Sequence, residues 1–324
     1  MSKPLIYVTR KLPEELLKPY EEQLQFKMWQ EADTPVPQDV LYKEVSKADG
    51  ILSTITENID TTFLDHASHL KVIANMAVGY DNIDVAAASE HNIIVTNTPD
   101  VLTETTADLA FTLLLATARR IVEASQVIKD SSWGGWAPFM LAGSDIHNKT
   151  IGIIGMGRIG EAVGRRAKGF GMDILYHNRN RNEKIETELE ARYGTFEDVI
   201  SEADFVVSLI PLTDETKDLF DEQAFSAMKS SAIFINVSRG GVVDEQALYD
   251  ALQRGVIQAA GLDVFKNEPI DATHPLVDLP NAVLLPHIGS ASVQTREKMI
   301  KLCLDNISQI FAGKDPLTEV KAKK

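Results

Sequence analysis

What this sequence has least of is cysteine: one residue, Cys303, in a chain of 324. No disulfide framework is possible within one chain, which suits a reducing compartment. Cys303 falls on the stripe Met299, Cys303, Ile307, Ile310, Phe311, which has helical spacing, so the expected role is a buried thiol filling space. Positive charge is also short. Lys and Arg number 32 against 47 Asp and Glu, a formal net charge of -15. That balance excludes nucleic acid and anionic membrane as expected partners, since both need concentrated positive charge. It also means that any anionic ligand must be met by a local group. Long apolar runs are missing too. Stretches such as 109–118 are too short to span a bilayer, and the N-terminus has no charged stretch followed by an apolar core and a cleavage site, so a cytoplasmic protein is expected. A Gly-x-Ser-x-Gly nucleophile turn does not occur, which removes the usual serine hydrolase signature. His66 and His69 stand three apart with no convergent third ligand, so they read as a polar helix face and no metal is expected.

What the chain does have is alternation. At roughly twice the usual domain length, it predicts two domains with large cores. Short β-branched runs at 5–9, 50–54, 71–74 and 93–96 read as strands with helical stretches between them. That rhythm belongs to βαβ units and a buried parallel sheet. A long apolar helix is expected over 102–120, with Asp100 or Thr103 available as its cap. Residues 131–148 break the pattern. Gly134, Gly135 and Gly143 are mixed there with Trp133, Trp136, Phe139 and Met140, and such aromatics must pack on a neighbouring subunit or fold back on their own domain. From 150 the alternation restarts, with strands expected at 151–154, 173–176, 204–210, 232–237, 258–264 and 282–285. Six strands separated by helices make a doubly wound sheet, so the fold class is α/β. A final amphipathic helix at 290–311 leads to a tail, 320–324, that reads as a disordered basic end.

Directly after the strand at 151–154 comes Gly155-Met156-Gly157-Arg158-Ile159-Gly160, followed by a helical stretch. The first glycine allows a tight turn, the second lets the backbone approach a pyrophosphate, and the third lets helix and strand pack closely. The helix N-terminus adds unpaired N–H groups and a partial positive charge, so an acidic protein can still hold a dinucleotide. About 20 residues further on, an NAD site normally places a carboxylate on the ribose hydroxyls. Here the strand runs instead into His177, Asn178, Arg179, Asn180 and Arg181. Guanidinium groups there suit a 2′-phosphate, so NADP(H) is expected to be preferred, with NAD(H) possible; the alternative is a solvated basic turn.

Ligands of open α/β sheets bind beyond the carboxyl ends of the strands. Ser238-Arg239-Gly240-Gly241 follows the strand at 232–237, Phe265-Lys266-Asn267-Glu268-Pro269 follows 258–264, and Pro286-His287-Ile288-Gly289-Ser290 follows 282–285. One Arg, one Glu and one His thus leave the same edge. Hydride arriving at a carbonyl carbon builds charge on oxygen that must receive a proton, and His287 is the natural acid. Glu268 can favour the imidazolium, and Arg239 can orient a substrate carboxylate or carbonyl and stabilise developing charge.

With these residues in view, the sequence resembles the D-isomer-specific 2-hydroxyacid dehydrogenases over nearly its whole length. The resemblance is carried by Val78-Gly79-Tyr80-Asp81, Thr105-Thr106-Ala107-Asp108, the glycines at 155–160, Val237-Ser238-Arg239-Gly240, Gly261-Leu262-Asp263-Val264, Asn267-Glu268-Pro269 and Pro286-His287-Ile288-Gly289-Ser290. It implies that Arg239, Glu268 and His287 are catalytic, with His287 the proton donor. It further implies that the backbone N–H groups of Val78 and Gly79, with Arg239 and Ser290, hold the substrate. Cofactor contacts are implied at Thr106, Pro211, Ser238, Asp263 and Gly289, beside Gly155, Gly157, Arg158, Ile159, Gly160, Asn178, Arg179 and Arg181. The implied layout is a flavodoxin-like substrate domain of 1–98 plus 288–324 and a Rossmann cofactor domain of 99–287. Within the family, residues 98–103, the Arg-bearing loop and the Gly-Trp connector resemble glyoxylate/hydroxypyruvate reductases and 2-ketogluconate reductases. That likeness implies NADPH-dependent reduction of small 2-oxo acids to D-2-hydroxy acids by a homodimer. The competing expectation is a dinucleotide-sensing interaction protein of the corepressor type with little turnover.

Overall fold

The computed structural model describes residues 2–322. Among them run thirteen strands: β1 (Leu5–Val8), β2 (Gln25–Met28), β3 (Gly50–Ser53), β4 (Val72–Asn75), β5 (Ile94–Thr96), β6 (Thr150–Ile154), β7 (Asp173–His177), β8 (Arg192–Tyr193), β9 (Phe205–Ser208), β10 (Ile233–Asn236), β11 (Ala259–Leu262), β12 (Ala282–Leu284) and β13 (Glu319–Val320). They form two sheets in two compact units. One unit holds the chain through Leu102 together with the segment from Ser292 onward; the other is Thr103–Ala291.

The first unit carries the sheet β13-β5-β4-β3-β1-β2. All its pairs are parallel except β13, which runs antiparallel to β5. Apart from that added edge strand the order is flavodoxin-like, and the direction of winding reverses at β1. Ile51, Ile73 and Val95 bury one face against Leu41, Val45, Phe63 and Ala87. The final helix, Val293–Phe311, starts at the Ser292 cap and buries Met299, Cys303, Leu304 and Ile307. Burial pushes the Cys303 thiol well above the ordinary cysteine range, so it is inert packing.

The second unit carries the fully parallel sheet β12-β11-β10-β9-β6-β7-β8, a Rossmann order with one further strand. Winding reverses between β6 and β9, so a crevice opens at their carboxyl ends. The central strands β9, β10 and β11 are buried along their whole length, which is why they read as continuous apolar runs. The helix Thr103–Ala118 packs Ala110, Phe111 and Leu114 on one face of this sheet.

Two expectations change. The stretch between 9 and 50 reads as helical, yet β2 lies at Gln25–Met28; as an edge strand it alternates exposed and half-buried residues and leaves no apolar run to read. Of the tail expected to be disordered, 320–324, the first residue instead pairs, Val320 opposite Val95, next to Glu319 opposite Thr96. The buried Asn306 side chain docks it, its Oδ1 accepting the Leu317 and Thr318 N–H groups at 2.8 and 3.0 Å. Lys323 and Lys324 lie outside the described residues. The two compact units divide between Leu102 and Thr103 and between Ala291 and Ser292, within a few residues of positions 98 and 287.

Residues 131–148 form an irregular connector, as their composition suggests. It does not fold back over its aromatics: Trp133, Trp136 and Phe139 are 57%, 83% and 87% exposed. Its return is anchored where a Cβ on Gly143 would stand 2.1 Å from the Ala118 carbonyl oxygen.

Candidate active site

The glycine turn after β6 shows the separate need for each glycine. Gly155 has φ +104, and a Cβ there would meet the Leu209 carbonyl at 2.8 Å, so the loops after β6 and β9 touch. A Cβ on Gly160 would lie 2.3 Å from the Gly155 oxygen, which rules out any side chain where the helix Arg158–Gly169 crosses the turn. Gly157 is the opposite case: a Cβ there would meet nothing within 4 Å. The only residue of the three with open space is the one where a pyrophosphate must approach the backbone. The helix N-terminus at Ile159 and Gly160 faces this open space with N–H groups that have no intrahelical acceptor, so the turn fits a dinucleotide.

Beyond β7, Asn178 closes this turn from the side. Its Oδ1 accepts the Met156 N–H at 2.7 Å and its Nδ2 donates to the Met156 carbonyl at 3.2 Å. The two arginines differ. Arg179 is exposed and makes no hydrogen bond or ion pair among the described residues. Arg181 is held in a bidentate pair with Glu186, at 2.8 Å from Nε and 2.6 Å from Nη2. The Tyr176 hydroxyl donates to the same carboxylate at 2.7 Å. The hydrogen bonds from Arg181 and Tyr176 hold the Glu186 carboxyl below the ordinary range, so the pair is ionic. Glu186 was not expected as a neighbour of this loop; the acidic first turn of the helix Glu183–Leu189, five residues on from Arg181, was its signal.

The three residues expected to be catalytic, Arg239, Glu268 and His287, come from just beyond the ends of β10, β11 and β12. Gly240 lets the first two loops touch, since a Cβ there would sit 1.8 Å from the Phe265 carbonyl carbon. Asn236 sets the Arg239 loop: its Nδ2 donates to the Arg239 carbonyl at 2.9 Å and its Oδ1 accepts from Ser238, whose hydroxyl also meets that of Ser208 at 3.1 Å. Glu268 accepts the Phe265 N–H at 2.9 Å through Oε1 and meets His287 Nδ1 at 2.7 Å through Oε2. Partial burial pushes the Glu268 carboxyl up, but the hydrogen bond and charge of His287, the Phe265 amide and the charge of Arg239 together bring it below the usual glutamate value. Glu268 is therefore ionised and accepts the Nδ1 proton, which leaves Nε2 as the nitrogen that can give a proton to a substrate.

His287 sits at φ +53, a left-handed conformation that costs a non-glycine residue about 1–2 kcal/mol. Asp263 holds it there. Its two carboxylate oxygens, buried at the end of β11, accept the Ile288 and Gly289 N–H groups, both at 2.8 Å. Each such bond contributes about 1.5–3 kcal/mol, enough together to outweigh the strain. Burial raises the Asp263 carboxyl above the ordinary range, despite the two amides and the charge of His287. Gly289 completes the packing: a Cβ there would stand 3.3 Å from Asp263 and 3.5 Å from Thr106. Thr106, Asp263, His287 and Gly289 thus meet. Pro211 is exposed on the loop after β9, and Ser290 is half-buried just past the His287 turn.

In the first unit, Val78 and Gly79 lie on the loop after β4. Their N–H groups have no acceptor among the described residues. The side chains of Asn75 and Asn97 hold that loop, a role sequence reading missed; the signal was an asparagine closing or directly following two adjacent strands. His66 stacks on Tyr42 with ring centroids 4.3 Å apart, and no group of three metal-ligating side chains occurs among the described residues. No described helix is long and apolar enough to cross a membrane.

A glycine turn that fits a dinucleotide and an imidazole paired with a carboxylate, on one sheet, fit an NAD(P)-dependent oxidoreductase. The sequence profile of the D-isomer specific 2-hydroxyacid dehydrogenase NAD binding domain matches residues 111–289, and the chain belongs to that family. It is 46% identical over 315 residues to glyoxylate reductase from Korarchaeum cryptofilum, covering 97% of this chain and 95% of the relative. Against glyoxylate reductase from Pyrococcus horikoshii the identity is 46% over 322 residues, with 98% and 96% covered. Among solved structures, NADPH-dependent glyoxylate/hydroxypyruvate reductase from Sinorhizobium meliloti, in complex with NADP and malonate, matches with a TM-score of 0.86. Identity there is 36% over 100% of both chains.

Two substitutions separate space from approach in the glycine turn. Gly157→Ala should leave stability within about 0.5 kcal/mol but weaken NAD(P)H binding at least about ten-fold, while Gly160→Ala should destabilise by about 1–3 kcal/mol. Urea midpoints and a fluorescence titration check both, and tight binding by the alanine-157 enzyme would reject the approach. For Glu268 the sign follows from its lowered value. Its ionised form adds stability that is complete above the ordinary glutamate value of 4.5 and is lost as pH falls through the depressed native value. The Tm gap between wild type and Glu268→Gln should be constant near neutrality and close in acid; a gap independent of pH would contradict the pairing.

Proposed function

We propose that this enzyme reduces glyoxylate and related small 2-oxo acids, hydroxypyruvate and 2-ketogluconate among them, to D-2-hydroxy acids, and prefers NADPH. The observation that carries the chemistry is the 2.7 Å contact between His287 Nδ1 and an ionised Glu268 carboxylate. A bound reduced nicotinamide supplies hydride to the carbonyl carbon. His287 gives its Nε2 proton to the carbonyl oxygen as charge develops there, and the imidazole is steadied by Glu268 as it loses that proton. Arg239 orients the oxo-acid group and opposes the growing negative charge. The Val78 and Gly79 N–H groups are the donors we assign to the substrate carboxylate. The names of the glyoxylate reductases at 46% identity support glyoxylate as a substrate.

Support for NADPH lies in Arg179, exposed at the end of β7 where an NAD enzyme would place a carboxylate. Arg181 contributes less than its position suggests, because Glu186 already compensates it. The exposed Trp133, Trp136 and Phe139, with Ile121 and Ile128, support a homodimer built across the connector.

His287→Gln should lower kcat by about 10²–10⁴-fold and leave NADPH binding near normal; unchanged turnover would remove the acid from His287. The three 2-oxo acids, compared by kcat/KM, identify the substrate, and failure to turn over any of them would reject the reading. Arg179→Ala should cut kcat/KM for NADPH by about ten-fold or more while sparing NADH. A wild-type preference for NADH would overturn the cofactor assignment. Sedimentation equilibrium should give a dimer that dissociates on joint Trp136→Ala and Phe139→Ala substitution; a monomeric wild type would refute it.

A further inference from the structure

The loop after β4 is held by its carbonyls. Three in succession are taken by donors at the ends of β4 and β5. The Thr98 N–H donates to the Ala77 oxygen at 2.8 Å, Asn97 Nδ2 to the Val78 oxygen at 2.8 Å, and Asn75 Nδ2 to the Gly79 oxygen at 2.9 Å. In a trans peptide the carbonyl of one residue and the N–H of the next point in opposite directions. Tying the Ala77 oxygen inward therefore turns the Val78 N–H outward, and tying the Val78 oxygen turns the Gly79 N–H outward. Successive N–H groups facing one way form an anion-binding concavity. Without the Asn97 amide, the Val78–Gly79 peptide plane has no fixed sense, and a flip would point a carbonyl dipole at the anion.

Asn97 is itself fixed from the far end of the chain. Its N–H donates to the Thr318 carbonyl at 3.2 Å, and its carbonyl accepts the Thr318 hydroxyl at 2.6 Å. Thr318 is gripped by the fully buried Asn306, whose Nδ2 reaches the Thr318 hydroxyl at 2.8 Å and whose Oδ1 takes the Thr318 N–H. A line of amide and hydroxyl groups thus runs from the final helix through the β13 approach to the peptide before Gly79. Every member is in the first unit.

We infer that Asn97, supported by Asn75, is a positioning residue for the substrate carboxylate: it sets the direction of the Gly79 N–H and so governs KM for the oxo acid rather than the chemical step. The inference rests on the assignment of the carboxylate to Val78 and Gly79. Asn97→Ala and Asn97→Asp both remove the donor, the second with almost no change of shape; Asn75→Ala removes the neighbouring one. Each should raise KM for glyoxylate by about ten-fold or more, with kcat within about three-fold of wild type and KM for NADPH unchanged. A glyoxylate KM within two-fold of wild type in the folded variants would overturn the inference. A parallel rise in both KM values with a lowered Tm would do the same, since it would mark a structural role only. Oxamate titrated into the cofactor-loaded enzyme, followed by the amide resonances of Val78 and Gly79, separates the two layers. Shifts in wild type with an oxamate Kd about ten-fold weaker in Asn97→Ala support both. No shift in wild type sinks the carboxylate assignment and the inference with it. Shifts of equal affinity in wild type and variant sink the positioning role alone.

Discussion

The geometry of the proposed proton donor depends on a backbone constraint at one residue. His287 is held in a left-handed conformation by two N–H groups that donate to a single buried carboxylate, Asp263. Relaxed to an ordinary conformation, the imidazole would leave Glu268, and nothing would then fix which ring nitrogen carries the transferable proton. The strain is local and small beside the two charge-assisted bonds that oppose it. Asp263 therefore acts through geometry, Glu268 through charge, and Gly240 by letting the Arg239 loop lie against the Phe265 backbone that feeds Glu268. The three strand ends form one unit because each is tied to the next.

A protein with a net charge of -15 presents its candidate anion sites without a basic surface. At the glycine turn the candidate donors are backbone N–H groups at a helix end, flanked by Asn178. In the first unit they are the N–H groups of Val78 and Gly79, whose loop is held by side-chain amides. Where guanidinium groups do occur, one is paired with Glu186 and one is left exposed, so the loop offers less free positive charge than its composition suggests. In both places the direction of a dipole matters more than the number of charges.

Much of the fold was legible. The central strands of both sheets are buried on two faces, so their β-branched runs announce themselves, and the glycine turn can be read because each glycine answers a different steric demand. The misses share a cause. β2 only half-buries alternate residues, while β8 and β13 are two residues long, too short to leave a pattern. The tail's pairing rests on Asn306, whose hydrogen bonds span a turn no local propensity encodes. For the site, the common edge of the candidate residues Arg239, Glu268 and His287 was legible, while Asn75, Asn97 and Glu186 were not, because polar residues near strand ends and in a helix's first turn are ordinary.

By itself the sequence determined which side chains are available and in what order strands and helices follow one another, because burial periodicity, turn chemistry and charge are properties of neighbouring residues. Tertiary structure alone decided direction: which imidazole nitrogen faces Glu268, which arginine is already compensated, and which way the peptide before Gly79 points. Those choices turn on hydrogen bonds between groups distant along the chain, and no local pattern records which donor a folded backbone will bring to which acceptor.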